Sequence, residues 1–92
     1  MPVVEIHPHA RERAPERGVS EQEIVETVLT GESFPIKFGR MGFRKIFGYN
    51  GTWRGRRYAN KEVEAIAVEI SGGWLVLTVI ARYFSWGAEA SE

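Results

Sequence analysis

A helix-initiation signal around Ser20 is the feature that most restricts the fold of this 92-residue chain. The Ser20 hydroxyl can accept a hydrogen bond from the amide of Glu23, and the Glu23 carboxylate can accept one from the amide of Ser20, which together make a capping box. The signal predicts a helix over residues 21–30 that ends at Gly31. The apolar side chains expected on one face of this helix are Ile24, Val25, Val28 and Leu29.

A shorter helix is predicted upstream. Pro8 suits the first position of a helix because its missing N–H has no partner there, and residues 8–14 contain good helix formers. Pro15 cannot donate the next backbone hydrogen bond and clashes with the preceding turn, so this helix is expected to end or kink near Ala14. Gly18 then supplies a stop before the second helix.

The rest of the chain carries strand and turn signals. Strands are expected over residues 34–38, 43–49, 52–58, 61–70 and 74–84. Asn50-Gly51 predicts a hairpin turn because both residues accept positive φ, and Gly72-Gly73 predicts another turn. Gly55 is expected to mark a bulge.

These elements predict an α+β fold in which two N-terminal helices pack on a four- to five-stranded antiparallel sheet. The helix over 21–30 should lie on the strand row of Val76, Thr78 and Ile80 or on the opposite row. One domain is expected over residues 1–86, with a disordered tail over 87–92.

The chain contains neither cysteine nor aspartate. Without cysteine it can form neither disulfides nor thiolate metal sites, and this composition fits a reducing compartment. Nucleases that use two metal ions hold them with carboxylates, commonly Asp, so no metal and no cofactor is expected. No signal peptide or membrane-spanning run is recognisable, which predicts a cytoplasmic protein without a membrane partner.

The net charge of zero conceals an uneven distribution. Residues 37–61 carry eight cations and no acid, whereas residues 1–36 and 62–92 each carry a net charge of −4. Six aromatic side chains lie in the same basic segment, and cations interleaved with aromatics suit a polyanion with stackable bases. The residues predicted to bind nucleic acid are Arg40, Arg44, Lys45, Trp53, Arg54, Arg56 and Lys61. The alternative is a solvated sheet face whose cations pair with glutamates of the helices and the last strands.

Three further groups of side chains suit phosphate chemistry. His9 and Arg13 share a helix face and can bind a phosphate and move a proton, although spacing alone favours an exposed helix with local ion pairs. Arg57 and Tyr58 combine a bidentate phosphate ligand with a stacking ring, or form a basic loop without a ligand. Arg82-Tyr83 end the last strand, where they either point into a site or are solvated.

The run His9-Ala10-Arg11-Glu12-Arg13, followed by Glu16-Arg17-Gly18-Val19-Ser20 and Glu23, resembles the opening of a family of small bacterial domains of unknown function. Val76-Leu77-Thr78-Val79 is similar to the strand that ends the sheet of that family, and Arg57-Tyr58 with Lys61-Glu62-Val63 is similar to its middle. The family is commonly grouped with RelE-like and barnase-like toxin folds. The resemblance therefore implies a RelE-like α+β fold.

The resemblance also implies an RNA-binding protein or a metal-independent endoribonuclease toxin. In such cleavage the ribose 2′-hydroxyl attacks the adjacent phosphate, assisted by a base, an acid and cations. The implied roles are a base or acid for His9, phosphate stabilisation for Arg13, Arg57 and Arg82, and stacking or proton donation for Tyr58 or Tyr83. The alternative is a non-catalytic interaction module or homo-oligomeric structural domain, which uses its sheet edge and aromatic side chains to bind an antitoxin-like protein or a second copy of itself.

Overall fold

The computed structural model describes residues 2–85, in which a five-stranded mixed sheet carries two α-helices on one face. The elements in chain order are β1 (Val3–Ile6), α1 (Pro8–Arg13), a 3₁₀ turn (Pro15–Arg17), α2 (Glu21–Thr30), β2 (Glu32–Ile36), β3 (Arg40–Trp53), β4 (Arg56–Ile70) and β5 (Gly73–Phe84). The strand order across the sheet is β1-β5-β4-β3-β2. The tail expected over residues 87–92 lies outside the described residues.

The helix α2 begins and ends where the sequence predicts. The Ser20 hydroxyl accepts a hydrogen bond from the Glu23 amide at 3.1 Å, and the Glu23 carboxylate accepts one from the Ser20 amide at 3.0 Å, so both halves of the capping box form. The buried residues of α2 are Ile24, Thr27 and Val28, with Val25 and Leu29 half-buried. Thr27 is tolerated in the core because its hydroxyl donates to the Glu23 carbonyl at 2.7 Å.

Pro15 ends α1, as predicted. The chain tightens at that point into the 3₁₀ turn over Pro15–Arg17. Gly18 follows with φ of 72°, a left-handed conformation that glycine adopts without strain. Arg17 consequently leaves the helix face that His9 and Arg13 share.

A strand precedes the helices, so the prediction of a wholly antiparallel sheet that follows two N-terminal helices is wrong. β1 runs parallel to β5, from Val3 opposite Gly73 to Ile6 opposite Val76, whereas the other three strand pairs are antiparallel. A strand of four residues is too short for its alternation to stand out in the sequence. The close approach of β1 requires Gly73, because a Cβ atom there would collide with the Val3 carbonyl.

The β3–β4 hairpin turns at Arg54-Gly55 rather than at Asn50-Gly51. Trp53 pairs with Arg56, and the two residues between them have φ of 50° and 84°, as a two-residue type I′ turn requires. Asn50 instead lies with Tyr49 in a bulge of β3, where the register with β4 shifts between Gly48 and Gly51. The longer hairpin is favoured because it brings the Trp53 ring onto the Tyr83 ring, with the centroids 4.7 Å apart.

The helices cover one face of the sheet. The buried apolar residues at this interface are Ala10, Ala14, Val19, Ile24, Val28, Phe43, Val63, Ala65, Ala67, Val76 and Val79. Val76 and Val79 share the face although they are three residues apart, because the register between β4 and β5 shifts there. The row predicted to contact α2 is therefore split, with Val76 in the core and Thr78 and Ile80 on the opposite face.

Candidate nucleic-acid interface

The eight cations of residues 37–61 do not form one surface, because successive side chains of a strand point to opposite faces of a sheet. Three of the cations pair with glutamates of α2 and β2. These pairs are Arg44 with Glu32 at 2.8 Å, Lys45 with Glu26 at 3.1 Å, and Lys61 with Glu23 at 2.8 Å. The glutamate partners of these three cations agree with the predicted solvated sheet face. The burial of Lys61 does not, because a solvated cation would be exposed.

Lys61 is buried, with only 4% of its surface exposed. Its ammonium group donates to the Glu23 carboxylate and to the Gly18 carbonyl, both at 2.8 Å, and lies 5.5 Å from the centre of the Tyr49 ring. These contacts join the end of the 3₁₀ turn and the start of α2 to the sheet. Lys61 therefore has a structural role, and its nucleic-acid binding stays a prediction that the burial does not favour.

Arg44 and Arg82 lie on the sheet face that the helices leave uncovered. Arg82 stands opposite Glu62 in the register, and its guanidinium group donates to Glu62 and Glu64 at 3.1 Å each. Arg44 lies over the Phe34 ring at 4.8 Å from its centre. Arg82 is thus on the opposite side of the sheet from α1, and it does not converge with His9 and Arg13.

Tyr83 is engaged within the protein. Its hydroxyl donates to the Arg17 carbonyl at 2.6 Å, and its ring contacts those of Tyr49, Trp53 and Tyr58 at centroid distances of 5.2, 4.7 and 5.8 Å. Burial, assisted by Tyr49 and Glu23, raises the pKa of Tyr83 to about 12. A proton held this tightly does not suit a general acid at neutral pH, so the contacts favour a packing role for Tyr83 and for the Trp53 ring stacked on it.

His9 and Arg13 lie together on the exposed side of α1. The His9 amide donates to the Nδ1 atom of His7 at 3.1 Å, which caps the helix. Arg13 pairs with Glu16 at 3.3 Å. The local ion pair fits the interpretation of an exposed helix, and the six residues predicted to be catalytic are distributed over three parts of the molecule.

Five of the eight cations form no salt bridge within residues 2–85. Lys37 and Arg40 lie near the start of β3, and the other three lie at the end of the β3–β4 hairpin. Arg54, Arg56 and Arg57 are exposed, and within residues 2–85 none of them forms a salt bridge. Arg54 lies 5.3 Å from the centre of the Trp53 ring, and Arg56 lies 5.9 Å from that of Tyr58. We call these three arginines and Tyr58 the hairpin tip.

A cavity of about 210 Å³ adjoins the hairpin tip. Its lining residues are Asn50, Arg57, Tyr58, Ala59 and Ser85. The Ser85 hydroxyl accepts a hydrogen bond from the Ala59 amide at 3.0 Å, which holds the end of β5 against β4. Arg57 and Tyr58, which are adjacent in the sequence, share the cavity lining with Asn50 and Ser85. The sequence signal at Asn50 predicts a turn, and nothing in the sequence marks Ser85.

Neither a cluster of metal-ligand side chains nor a helix suited to span a membrane is present among the described residues. No group of three or more His or Glu side chains is arranged there to hold a metal ion. None of the helices over residues 2–85 is both long enough and apolar enough to span a bilayer.

A family model described as Domain of unknown function (DUF4258) matches residues 6–81. The chain belongs to the DUF4258 family. The match confirms that the chain is a member of a family of domains of unknown function, and it assigns neither a RelE-like relation nor an activity. No curated protein and no solved structure matches the chain.

The DUF4258 match covers both helices and the whole β3–β4 hairpin. It begins at the last residue of β1 and ends before Tyr83 and Ser85. Four of the five residues that line the cavity therefore lie in the matched region.

Proposed function

We propose that this DUF4258 domain binds single-stranded RNA through the hairpin tip. The observation that carries the proposal is the group of three exposed arginines, Arg54, Arg56 and Arg57, without a carboxylate partner in the described part of the chain. A phosphate that approached Lys61 would have to displace Glu23 and break a buried ion pair. The tip arginines have no such competitor, so phosphate can bind them directly.

Arginine suits phosphate because its planar guanidinium group donates two parallel hydrogen bonds. Arg56 and Arg57 are successive residues of β4 and point to opposite faces of the hairpin, so a strand that crosses the tip can contact arginines on both faces. A single strand is favoured over a duplex because its splayed bases can reach the adjoining cavity, whereas duplex bases are stacked on one another.

RelE-like ancestry belongs to the same proposal, and the resemblance of the His9–Glu23 region supports it. RNA cleavage has weaker support than RNA binding, because Arg82 lies on the opposite side of the sheet from His9 and is already bonded to two glutamates. Binding is therefore the function proposed, and cleavage is an outcome to be measured beside it.

The experiment is a fluorescence anisotropy titration of a labelled single-stranded RNA at two salt concentrations. In the test variant Arg54, Arg56 and Arg57 are replaced by serine. In the control variant Lys37, Arg40 and Arg44 are replaced by serine, which removes the same charge from the other end of β3. Each phosphate contact on a single strand contributes about 0.7 to the salt slope, so the test variant should lose affinity and about 2 units of slope, and the control variant should lose far less.

The outcomes separate the candidate functions. Equal losses in both variants would show attraction to overall charge and would reject the hairpin tip. Absence of binding at low salt would reject the RNA proposal and favour the interaction module, with an antitoxin-like protein or a second copy as partner. A cleavage gel run in chelator, with His9→Ala alongside, decides between a binder and a metal-independent ribonuclease.

A further inference from the structure

The cavity beside the hairpin tip has a size and a lining that restrict what it can hold. Its volume of about 210 Å³ is below the roughly 300–1,000 Å³ that is usual for cofactor and drug-sized ligands. It has room for one planar ring rather than for a complete dinucleotide or an extended cofactor. Its lining residues include an arginine, an asparagine and a serine, which can hold a nucleotide unit by hydrogen bonds.

We infer that this cavity is a subsite for one unstacked nucleobase of the bound strand, with the adjoining phosphate on Arg57. The inference rests on the proposed function, because it assigns a role to the cavity within an RNA interface. Arg57 both lines the cavity and belongs to the hairpin tip, so a strand that crosses the tip brings a base to the cavity entrance.

Asn50 is the residue that gives the cavity its hydrogen-bonding character. It sits in the β3 bulge with φ of 48°, and bulges commonly change the direction of a side chain. Its carboxamide offers both donors and an acceptor, so it can pair with the mixed donor and acceptor edge of a splayed base.

Tyr58 and Ser85 complete the cavity. The Tyr58 ring contacts the Tyr83 ring and lies under the Arg56 guanidinium group. It therefore packs on the face of the hairpin opposite to the Arg57 side chain and does not serve as a stacking surface beside it. The Ser85 oxygen already accepts from the Ala59 amide, so the hydroxyl hydrogen remains available as a donor.

The test compares a labelled single-stranded RNA with an abasic strand of the same length and the same number of phosphates. The hairpin tip responds to phosphate and should bind both strands, whereas the cavity responds only to a base. Hydrogen bonds to one base edge typically change affinity about two- to tenfold, so the wild-type protein should prefer the base-bearing strand by about that factor.

One cavity variant and one control assign the preference. Asn50→Gly removes the amide and suits the positive φ of the bulge. It should bind the two strands nearly equally while keeping the salt slope of the wild type. Thr52→Ala changes an exposed residue of the same hairpin outside the cavity and should keep the preference. Circular dichroism melts identify any variant that fails to fold, and Asn50→Asp, which also tolerates positive φ, replaces Asn50→Gly if that variant does.

The outcomes for the cavity differ from those for the proposed function. If wild-type protein binds both strands equally, or if Asn50→Gly keeps the full preference, the nucleobase subsite is refuted and RNA binding by the hairpin tip stands. If neither strand binds at low salt, RNA binding itself is refuted and the subsite with it.

Discussion

Replacement of Glu23 by glutamine tests whether the buried Lys61 depends on a counter-charge. The substitution keeps a side-chain oxygen that can accept from the Ser20 amide, since glutamine also completes a capping box, and it removes only the negative charge. The Lys61 side chain is 5% exposed, so water cannot replace the lost carboxylate. The ammonium group would keep the Gly18 carbonyl and the Tyr49 ring as partners.

The expected loss of unfolding free energy is about 3 kcal/mol. Removal of one partner of a buried ion pair typically costs about 3–5 kcal/mol, and the retained acceptors place this case at the lower end. Lys61→Met should cost less, about 1 kcal/mol, because the Glu23 side chain is 26% exposed and can be hydrated, while a buried methionine replaces the ammonium without a desolvation penalty. Glu23→Gln is therefore expected to be less stable than Lys61→Met, because it leaves the less exposed of the two charged side chains without its partner.

Urea unfolding of the wild type, both single variants and the double variant measures these differences. Once Lys61 is methionine, Glu23→Gln should have little further effect, which gives a coupling energy of about 3 kcal/mol between the two positions. A Lys61→Met variant that is less stable than Glu23→Gln would refute the argument, and so would additive single effects.

Two further predictions concern the same part of the molecule. Ser20→Ala should lower the unfolding free energy by about 0.5–2 kcal/mol because it removes one half of the capping box, and an unchanged denaturation midpoint would contradict the cap. The pKa of Tyr83 is raised from 10.0 to about 12 in the folded protein, so this group stabilises the fold fully below pH 10 and its contribution is lost as the pH rises from 10 to about 12. Tyr83→Phe should show a shallower decline of stability over that interval, and equal slopes for the two proteins would exclude a role for Tyr83.

The helical part of the fold was predictable because its signals are local. The Ser20 capping box and the breaks at Pro15 and Gly18 each act over a few residues, and the structure places each where it was expected. The strand pairing was less predictable because it depends on long-range contacts. The pairing of β1 with β5 joins residues about 70 positions apart, and no local pattern carries that information.

Two local turn signals compete for the position of the β3–β4 turn. Asn50-Gly51 and Arg54-Gly55 both accept positive φ, and the first pair is the stronger hairpin signal. The choice between them depends on Trp53, which reaches Tyr83 only when the hairpin is extended. A hydrogen bond from the Tyr49 hydroxyl to the Thr52 carbonyl at 2.8 Å then supports the bulge within the strand.

The charge pattern was informative only after the fold was known. Eight cations in one segment suggested one basic surface, but alternation along β3 sends Arg44 and Lys45 to opposite faces. Pairing with glutamates that are distant in sequence then neutralises them. A basic run in a strand therefore predicts a basic surface only where no glutamate of a neighbouring element faces it.

The contacts around Gly18 link the helical segment to the base of the proposed RNA interface. Its carbonyl accepts from Lys61, and its missing side chain allows close approach of the Trp53 ring and the Tyr83 hydroxyl, both of which a Cβ atom would meet. The base of the hairpin is thereby fixed to the helices, while the tip beyond it remains exposed. A rigid base lowers the entropy lost when the tip arginines are immobilised on a ligand, so the buried contacts of Lys61 and Tyr83 can support binding without touching the RNA.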